Sequence, residues 1–135
     1  MISTKGRYAL RVMIDLAQHM EEEYVPLNEI AIRQEISEKY LEIVLKILVK
    51  KNLLKGRRGK GGGYQLTRKP SEYTIGEILE LAEGNLATVA CLVPGAEACS
   101  REGQCITLPL WKKFDGMVHD FFYGITLDDV LNGKI

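Results

Sequence analysis

Four of the five residues in Gly59-Lys60-Gly61-Gly62-Gly63 are glycine, and no other stretch of the 135 restricts the fold as sharply. Glycine at that density disfavours helix and permits the positive φ of a tight turn. With Leu54 on one side and Tyr64 and Leu66 on the other, the tract reads as the tip of a β-hairpin over residues 55–68, its apolar side chains pairing on an inner face. A phosphate-binding loop is the other use of such a tract. That loop needs a strand before it, a helix after it, and a lysine followed by Ser or Thr. Here Lys60 is followed by Gly61, and no helix signal comes until Thr74.

What precedes the hairpin is helical. Tyr8, Ala9, Val12, Met13, Leu16, Ala17 and Met20 recur at helical spacing over residues 4–20, with Ser3 or Thr4 placed to cap the start. Residues 28–34 form a short amphipathic helix carrying Ile30 and Ala31. Ser37 caps another that runs through Tyr40, Leu41, Val44, Leu45, Leu48 and Val49. Two helices joined by a three-residue turn make a helix-turn-helix. Such turns favour a left-handed residue, usually Gly or Asn, and this chain offers Glu35 at a local cost. Followed by a basic hairpin, the unit is a winged helix.

The charge distribution agrees. Lysines plus arginines equal aspartates plus glutamates at 18 each, so the net charge is zero. Yet between residues 43 and 71 there is no acid, while Lys46, Lys50, Lys51, Lys55, Arg57, Arg58, Lys60, Arg68 and Lys69 supply half the cations. That is either a solvated basic face or a phosphate-binding surface. On the second reading, Ser37, Lys39, Tyr40 and Glu42 at the start of the second motif helix lie nearest base edges in the major groove. Glu42 can accept a hydrogen bond from cytosine N4, or pair with Lys46 one turn on. Arg58 and Lys60 reach the minor groove or its phosphates, and Lys5, Arg7, Lys50, Lys51 and Arg57 are directed at phosphates. Double-stranded DNA is the expected partner.

Beyond the hairpin, Thr74 and Glu77 form a capping box for a helix through Ile75, Ile78, Leu79 and Ala82 that Gly84 stops. All three cysteines follow, Cys91, Cys99 and Cys105, among loop-forming residues. Two could pair, but three invite a metal or cluster with a non-cysteine fourth ligand. Seven and then five residues intervene, unlike the close pairs of structural zinc sites. A metal-free thiol redox sensor is the competing reading. A long helix then carries Ile106, Leu110, Trp111, Phe114, Met117, Val118, Phe121, Phe122 and Ile125, an apolar side wide enough to require burial against a partner subunit or against the first helix. Thr126 and Asp129 make a capping box for a last turn over residues 127–131. The fold class is mainly α: a winged helix-turn-helix with a small β-hairpin wing and a long C-terminal helix.

No apolar run approaches bilayer length and residues 1–8 lack a leader core, so no membrane partner and a cytoplasmic, thiol-reducing location are expected. With two histidines far apart and no nucleophile, HExxH or paired-carboxylate pattern, the chain is not expected to be an enzyme.

Ser3-Thr4-Lys5-Gly6-Arg7-Tyr8-Ala9, Tyr40-Leu41-Glu42, Arg58-Gly59-Lys60-Gly61-Gly62-Gly63-Tyr64 and Ile125-Thr126-Leu127 together resemble the Rrf family of bacterial winged-helix regulators over almost the whole chain. The cysteine trio places it nearest the family's iron–sulfur cluster regulators and apart from its cysteine-metabolism branch. The resemblance implies a homodimeric transcription factor, a repressor of cluster-assembly genes, with a [2Fe-2S] cluster, or alternatively [4Fe-4S], held by Cys91, Cys99 and Cys105. It implies a winged domain over residues 1–84, a cluster loop over 85–106, and a dimerisation helix with a short terminal helix over 107–135. A pseudo-palindromic operator and a cluster-donating protein are the further partners. A nitric-oxide-sensing branch has a similar trio, so that signal is the alternative.

One departure concerns the fourth ligand. The cluster regulators place a histidine three positions after the last cysteine, where this chain has Leu108. The nitric-oxide branch uses an aspartate near the start of the partner's first helix, where this chain has Arg7. His119 stands fourteen residues past Cys105, roughly 21 Å along a continuous helix. His19, Asp15, Glu97, Glu102, water or a small thiol are the remaining candidates.

Overall fold

A computed structural model describes residues 2–135. Its helices are α1 (Thr4–Gln18), α2 (Leu27–Gln34), α3 (Glu38–Lys50), α4 (Ile75–Glu83), α5 (Leu108–Tyr123) and α6 (Leu127–Leu131). Strands β1 (Leu54–Arg57) and β2 (Gly63–Leu66) form an antiparallel hairpin. Ala9, Val12, Met13 and Leu16 of α1 meet Leu41, Val44, Leu45 and Leu48 of α3 and Ile75, Ile78, Leu79 and Ala82 of α4, each set recurring at three- and four-residue steps. Leu127 of α6 is completely buried in the same core, so the chain's last helix closes the winged unit.

The helix-turn-helix forms as its spacing predicts. The turn between α2 and α3 is Glu35-Ile36-Ser37, and Glu35 takes the left-handed conformation, φ 53° and ψ 46°, that the bend requires. Ile36 is buried beneath it, and the Ser37 hydroxyl accepts from the Tyr40 amide at 3.2 Å to cap α3. A buried carboxylate ties α1 to α2. Asp15 accepts from the Arg33 guanidinium at 2.8 and 3.0 Å and from the Gln34 amide at 2.9 Å. Burial pushes the Asp15 pKa up, but the bonds from Arg33 and Gln34, with the Arg33 charge, outweigh it and hold it below the usual carboxylate value.

In the wing, Leu54 pairs with Leu66, while Tyr64 stands opposite Gly56 rather than opposite an apolar partner. A contact not foreseen from sequence anchors the hairpin: Val25 and Tyr64 exchange two backbone hydrogen bonds of 2.9 Å. Gly63 makes this possible, with φ 149° and a hydrogen where a Cβ would stand 2.3 Å from the Val25 carbonyl oxygen. At the wing's base the buried Tyr73 phenol donates to the Leu53 carbonyl at 2.7 Å and accepts from the Thr67 and Arg68 amides at 2.9 and 3.1 Å.

Three local expectations change. Ser3 is the N-cap of α1 but makes no capping bond within the helix; the Glu83 carboxylate from the end of α4 accepts from Ser3 N and Ser3 Oγ at 2.8 Å and Gly6 N at 3.1 Å instead. Thr74 caps α4, yet Glu77 does not close the box, because its carboxylate binds the Arg68 guanidinium in a two-point pair at 2.7 and 2.9 Å. The long helix begins at Leu108, leaving Ile106 outside it and 93% exposed. The box at Thr126 and Asp129 is complete.

Candidate DNA interface and cysteine pocket

Residues 39, 42, 46 and 50 recur at three- and four-residue steps, so Lys39, Glu42, Lys46 and Lys50 line one solvent face of α3. Tyr40 is half-buried, its ring edge-on to Tyr8 of α1 at 5.4 Å, with the Arg11 guanidinium over the Tyr8 ring. Between α3 and the wing lies an open groove of about 640 Å³ whose cations are Lys46, Lys50, Arg57 and Arg58. Backbone of Gly56, Gly59, Gly62 and Gly63 forms part of its wall, where no side chain blocks a phosphate. Lys60 is exposed at the wing tip. Arg57 lies over the Tyr24 ring and 3.4 Å from Glu23; both partners are mostly exposed, so the pair holds the guanidinium weakly. Arg7 is exposed on α1, donating to Thr4 Oγ1 at 3.2 Å, and Lys5 is half-buried.

Two residues of this face were given no DNA contact from sequence. Lys46 joins the groove, and among the described residues it forms no ion pair with Glu42. Ile43 stands 47% exposed amid charged neighbours, the one break in the polarity of that face. The one-turn offset of Lys46 from Lys50 was the signal available for the first. Arg68, counted with the basic segment, is committed to Glu77 and is half-buried.

The cysteines occupy the opposite kind of site. Residues 84–107 connect α4 to α5 through two 3₁₀ turns, Ala90–Leu92 and Glu102–Gln104, and enclose a cavity of about 240 Å³. Cys91, Cys99 and Cys105 all line it, together with Glu97, Glu102 and Lys112. Leu108 closes part of the wall and offers no donor atom. Among the described residues no three His, Cys, Asp or Glu side chains are grouped so as to hold a metal ion. The three thiols share the lining of one cavity without gathering into a ready-made metal site. The Cys105 thiol lies 3.4 Å from the Thr107 hydroxyl; that hydrogen bond, assisted by the nearby Arg101 charge, lowers its pKa despite some desolvation. The loop is tied to α5 by Asp115, which accepts from Thr88 N at 2.8 Å and Thr88 Oγ1 at 3.0 Å.

The Rrf2 profile, described as an iron-dependent transcriptional regulator, matches residues 2–133. This chain belongs to the Rrf2 family. It is 37% identical over 133 residues to the HTH-type transcriptional regulator IscR of Pectobacterium atrosepticum, covering 98% of this chain and 80% of that protein. The IscR of Aliivibrio salmonicida is 36% identical over 130 residues, covering 96% and 76%. Among solved structures, T. potens IscR superposes with a TM-score of 0.77 at 34% identity over 100% of this chain and 88% of the other. CymR, the global cysteine regulator of B. subtilis, gives 0.78 at 35% over 98% and 96%. The chain is thus a transcriptional regulator of IscR type rather than an enzyme, with the winged-helix architecture of its relatives. Backbone likeness does not separate the two branches.

Within this Rrf2-family regulator the fourth-ligand candidates divide by position. Asp15 is buried and already paired with Arg33. His19 ends α1, its Nδ1 2.7 Å from the Asp15 carbonyl oxygen, and lines a separate cavity beside Val25 and Tyr64. His119 is stacked on Tyr123 at 4.6 Å on α5. Only Glu97 and Glu102 of the named candidates share a cavity with the thiols. No helix of the described residues is long and apolar enough to cross a membrane.

Proposed function

We propose that the protein is a homodimeric repressor of iron–sulfur cluster assembly genes whose operator binding is governed by a [2Fe-2S] cluster held by Cys91, Cys99 and Cys105. The observation that carries this reading is the single cavity that gathers all three thiols on the loop between α4 and α5. Thiolates suit iron, and the donor set of three sulfurs with nearby carboxylates fits a cluster with one non-cysteine ligand. When bound, such a cluster supplies a redox-active and comparatively labile group. The exposure of Cys91 and Cys99 suits loading by a cluster-donating protein.

On the DNA side, Ser37, Lys39, Tyr40 and Glu42 approach base edges while Lys50, Arg57, Arg58 and Lys60, joined by Lys46, neutralise phosphates along the groove. Lys5 and Arg7 extend that surface from α1. Ile43 is suited to a thymine methyl. Dimerisation is assigned to α5. Leu110, Phe114, Met117 and Phe121 follow one another by four, three and four residues, the step of a packed helical seam, and each is at least 40% exposed in the single chain. Two copies related by a two-fold axis present two α3 helices to a pseudo-palindromic operator.

The test is an anaerobic gel shift on DNA selected by the protein itself, with the loaded form compared with the cluster-free form. A difference in affinity or in preferred sequence between the two is expected. Identical binding would overturn control by the cluster, and binding altered only by thiol oxidation in colourless protein would favour the metal-free redox reading.

A further inference from the structure

Resting on the proposed assignment of α3 and the wing to DNA, we infer that Ile43 is a specificity residue that selects thymine in each half-site by packing on its C5 methyl. Ile43 is 47% exposed, while Leu41, Val44, Leu45 and Leu48 of the same helix are buried in the core. At about 100° per residue it lies about 150° round α3 from the centre of those four, so it is not the margin of the core stripe. It falls instead within about 20° of Lys50 and about 60° of Lys46. Both lysines line the open groove between α3 and the wing, which Arg57 and Arg58 also line. Lys39, Ile43, Lys46 and Lys50 thus form a row at steps of four, three and four, with an apolar residue inside a run of cations. A partner for that row has to offer anions at its edges and an apolar spot between them. The major groove of a duplex does so, with phosphates along both rims and thymine methyls on the floor.

Side-chain length divides the labour along the row. A lysine extends to phosphates on the rims, whereas the short isoleucine touches only what lies directly beneath the helix, the base edges. Ile43 stands in the N-terminal half of α3, the part of a recognition helix that meets the bases. It has no donor or acceptor. Pressed against purine N7, guanine O6 or an amino group, it would exclude water and leave that group unpaired. The thymine methyl is the apolar feature of the major-groove edge, so Ile43 both gains from thymine and penalises its alternatives. Branching at Cβ holds isoleucine largely to one χ1 rotamer in a helix, so the contact freezes little further motion. Glu42 beside it has only acceptors and suits cytosine N4, so the two neighbours read different features of the bases.

The experiment uses the full chain, with and without cluster reconstitution, and a duplex that the wild type selects from random sequence. Each thymine of that duplex is replaced in turn by deoxyuridine, which keeps the hydrogen-bonding groups of the base and removes only the methyl. Dissociation constants are measured by fluorescence anisotropy for wild type, Ile43→Ala and Lys50→Ala, with far-ultraviolet dichroism to check that each variant folds. Wild type should bind about four-fold more weakly when the contacted thymine of one half-site is replaced, and about fifteen-fold when both are, the effect of one buried methyl taken once and twice. Ile43→Ala should bind the thymine and uracil duplexes alike at that position, and a selection repeated with it should lose the preference for thymine there. Lys50→Ala should bind every duplex more weakly yet keep the wild-type deoxyuridine penalty, as loss of a phosphate contact does. Selective binding by wild type with no deoxyuridine penalty, or with a penalty that Ile43→Ala retains, overturns the role of Ile43 and leaves the DNA assignment standing. A wild type that selects no duplex in either form overturns both.

Discussion

Glu83 at the end of α4 takes the place of a side-chain cap on α1, and Gly6 leaves the space for it. A Cβ at position 6 would stand 2.2 Å from Glu83 Oε1 and 3.3 Å from a methyl of Leu79, so Gly6→Ala must expel the carboxylate. Glu83 accepts from two backbone amides and one hydroxyl. Loss of an N-cap costs about 0.5–2 kcal/mol, and hydrogen bonds to a charged group add to that, so Glu83→Ala should destabilise by about 2 kcal/mol. Gly6→Ala incurs the same loss but gains up to about 1 kcal/mol of helix propensity, for a net cost of about 1 kcal/mol. In a Glu83→Ala background there is no carboxylate left to expel, and the same substitution should stabilise. Urea denaturation of the four proteins, followed by far-ultraviolet dichroism, gives the coupling directly, expected at about 2 kcal/mol. An equal effect of Gly6→Ala in both backgrounds would refute the reasoning.

Tyr73→Phe should cost about 1–3 kcal/mol in urea denaturation, because the Leu53 carbonyl and the Thr67 and Arg68 amides lose their buried partner. Asp15→Asn should destabilise by about 2 kcal/mol at neutral pH, less than for a fully buried pair because Arg33 can reach water. Since the folded Asp15 pKa is lowered, its stabilisation is complete above the ordinary carboxylate pKa of about 4 and fades as pH falls below it, so the stability difference between wild type and variant should shrink in acid. Met117→Glu, at a position 61% exposed, should leave the chain folded but give a 15.2 kDa monomer in sedimentation, where wild type is expected to sediment as a dimer.

Local features were legible before any coordinates. Ser37 as a cap, the box at Thr126 and Asp129, and the glycine-rich hairpin tip each depend on residues within a few positions of one another, where backbone chemistry leaves few choices. Glu35 was visible as an oddity for the same reason, and its left-handed backbone is how the chain makes the turn without glycine. Contacts between distant residues were not legible. Glu83 meets Ser3 across eighty positions, and Glu77 leaves its own helix start for Arg68, because a carboxylate near several donors goes to the one the tertiary fold brings closest. Spacing named the three thiols as a group, whereas the cavity they share with Glu102, and from which both histidines are absent, emerges only once the loop is placed on α5.

The most direct test of the central claim is iron and acid-labile sulfide per chain in anaerobically purified protein, read beside its visible spectrum, for wild type and Cys99→Ala. Coloured wild type with iron and sulfide in equal amounts, and a bleached variant, is the predicted result. Colourless wild type grown with full iron supply, or colour undiminished in Cys99→Ala, would contradict it.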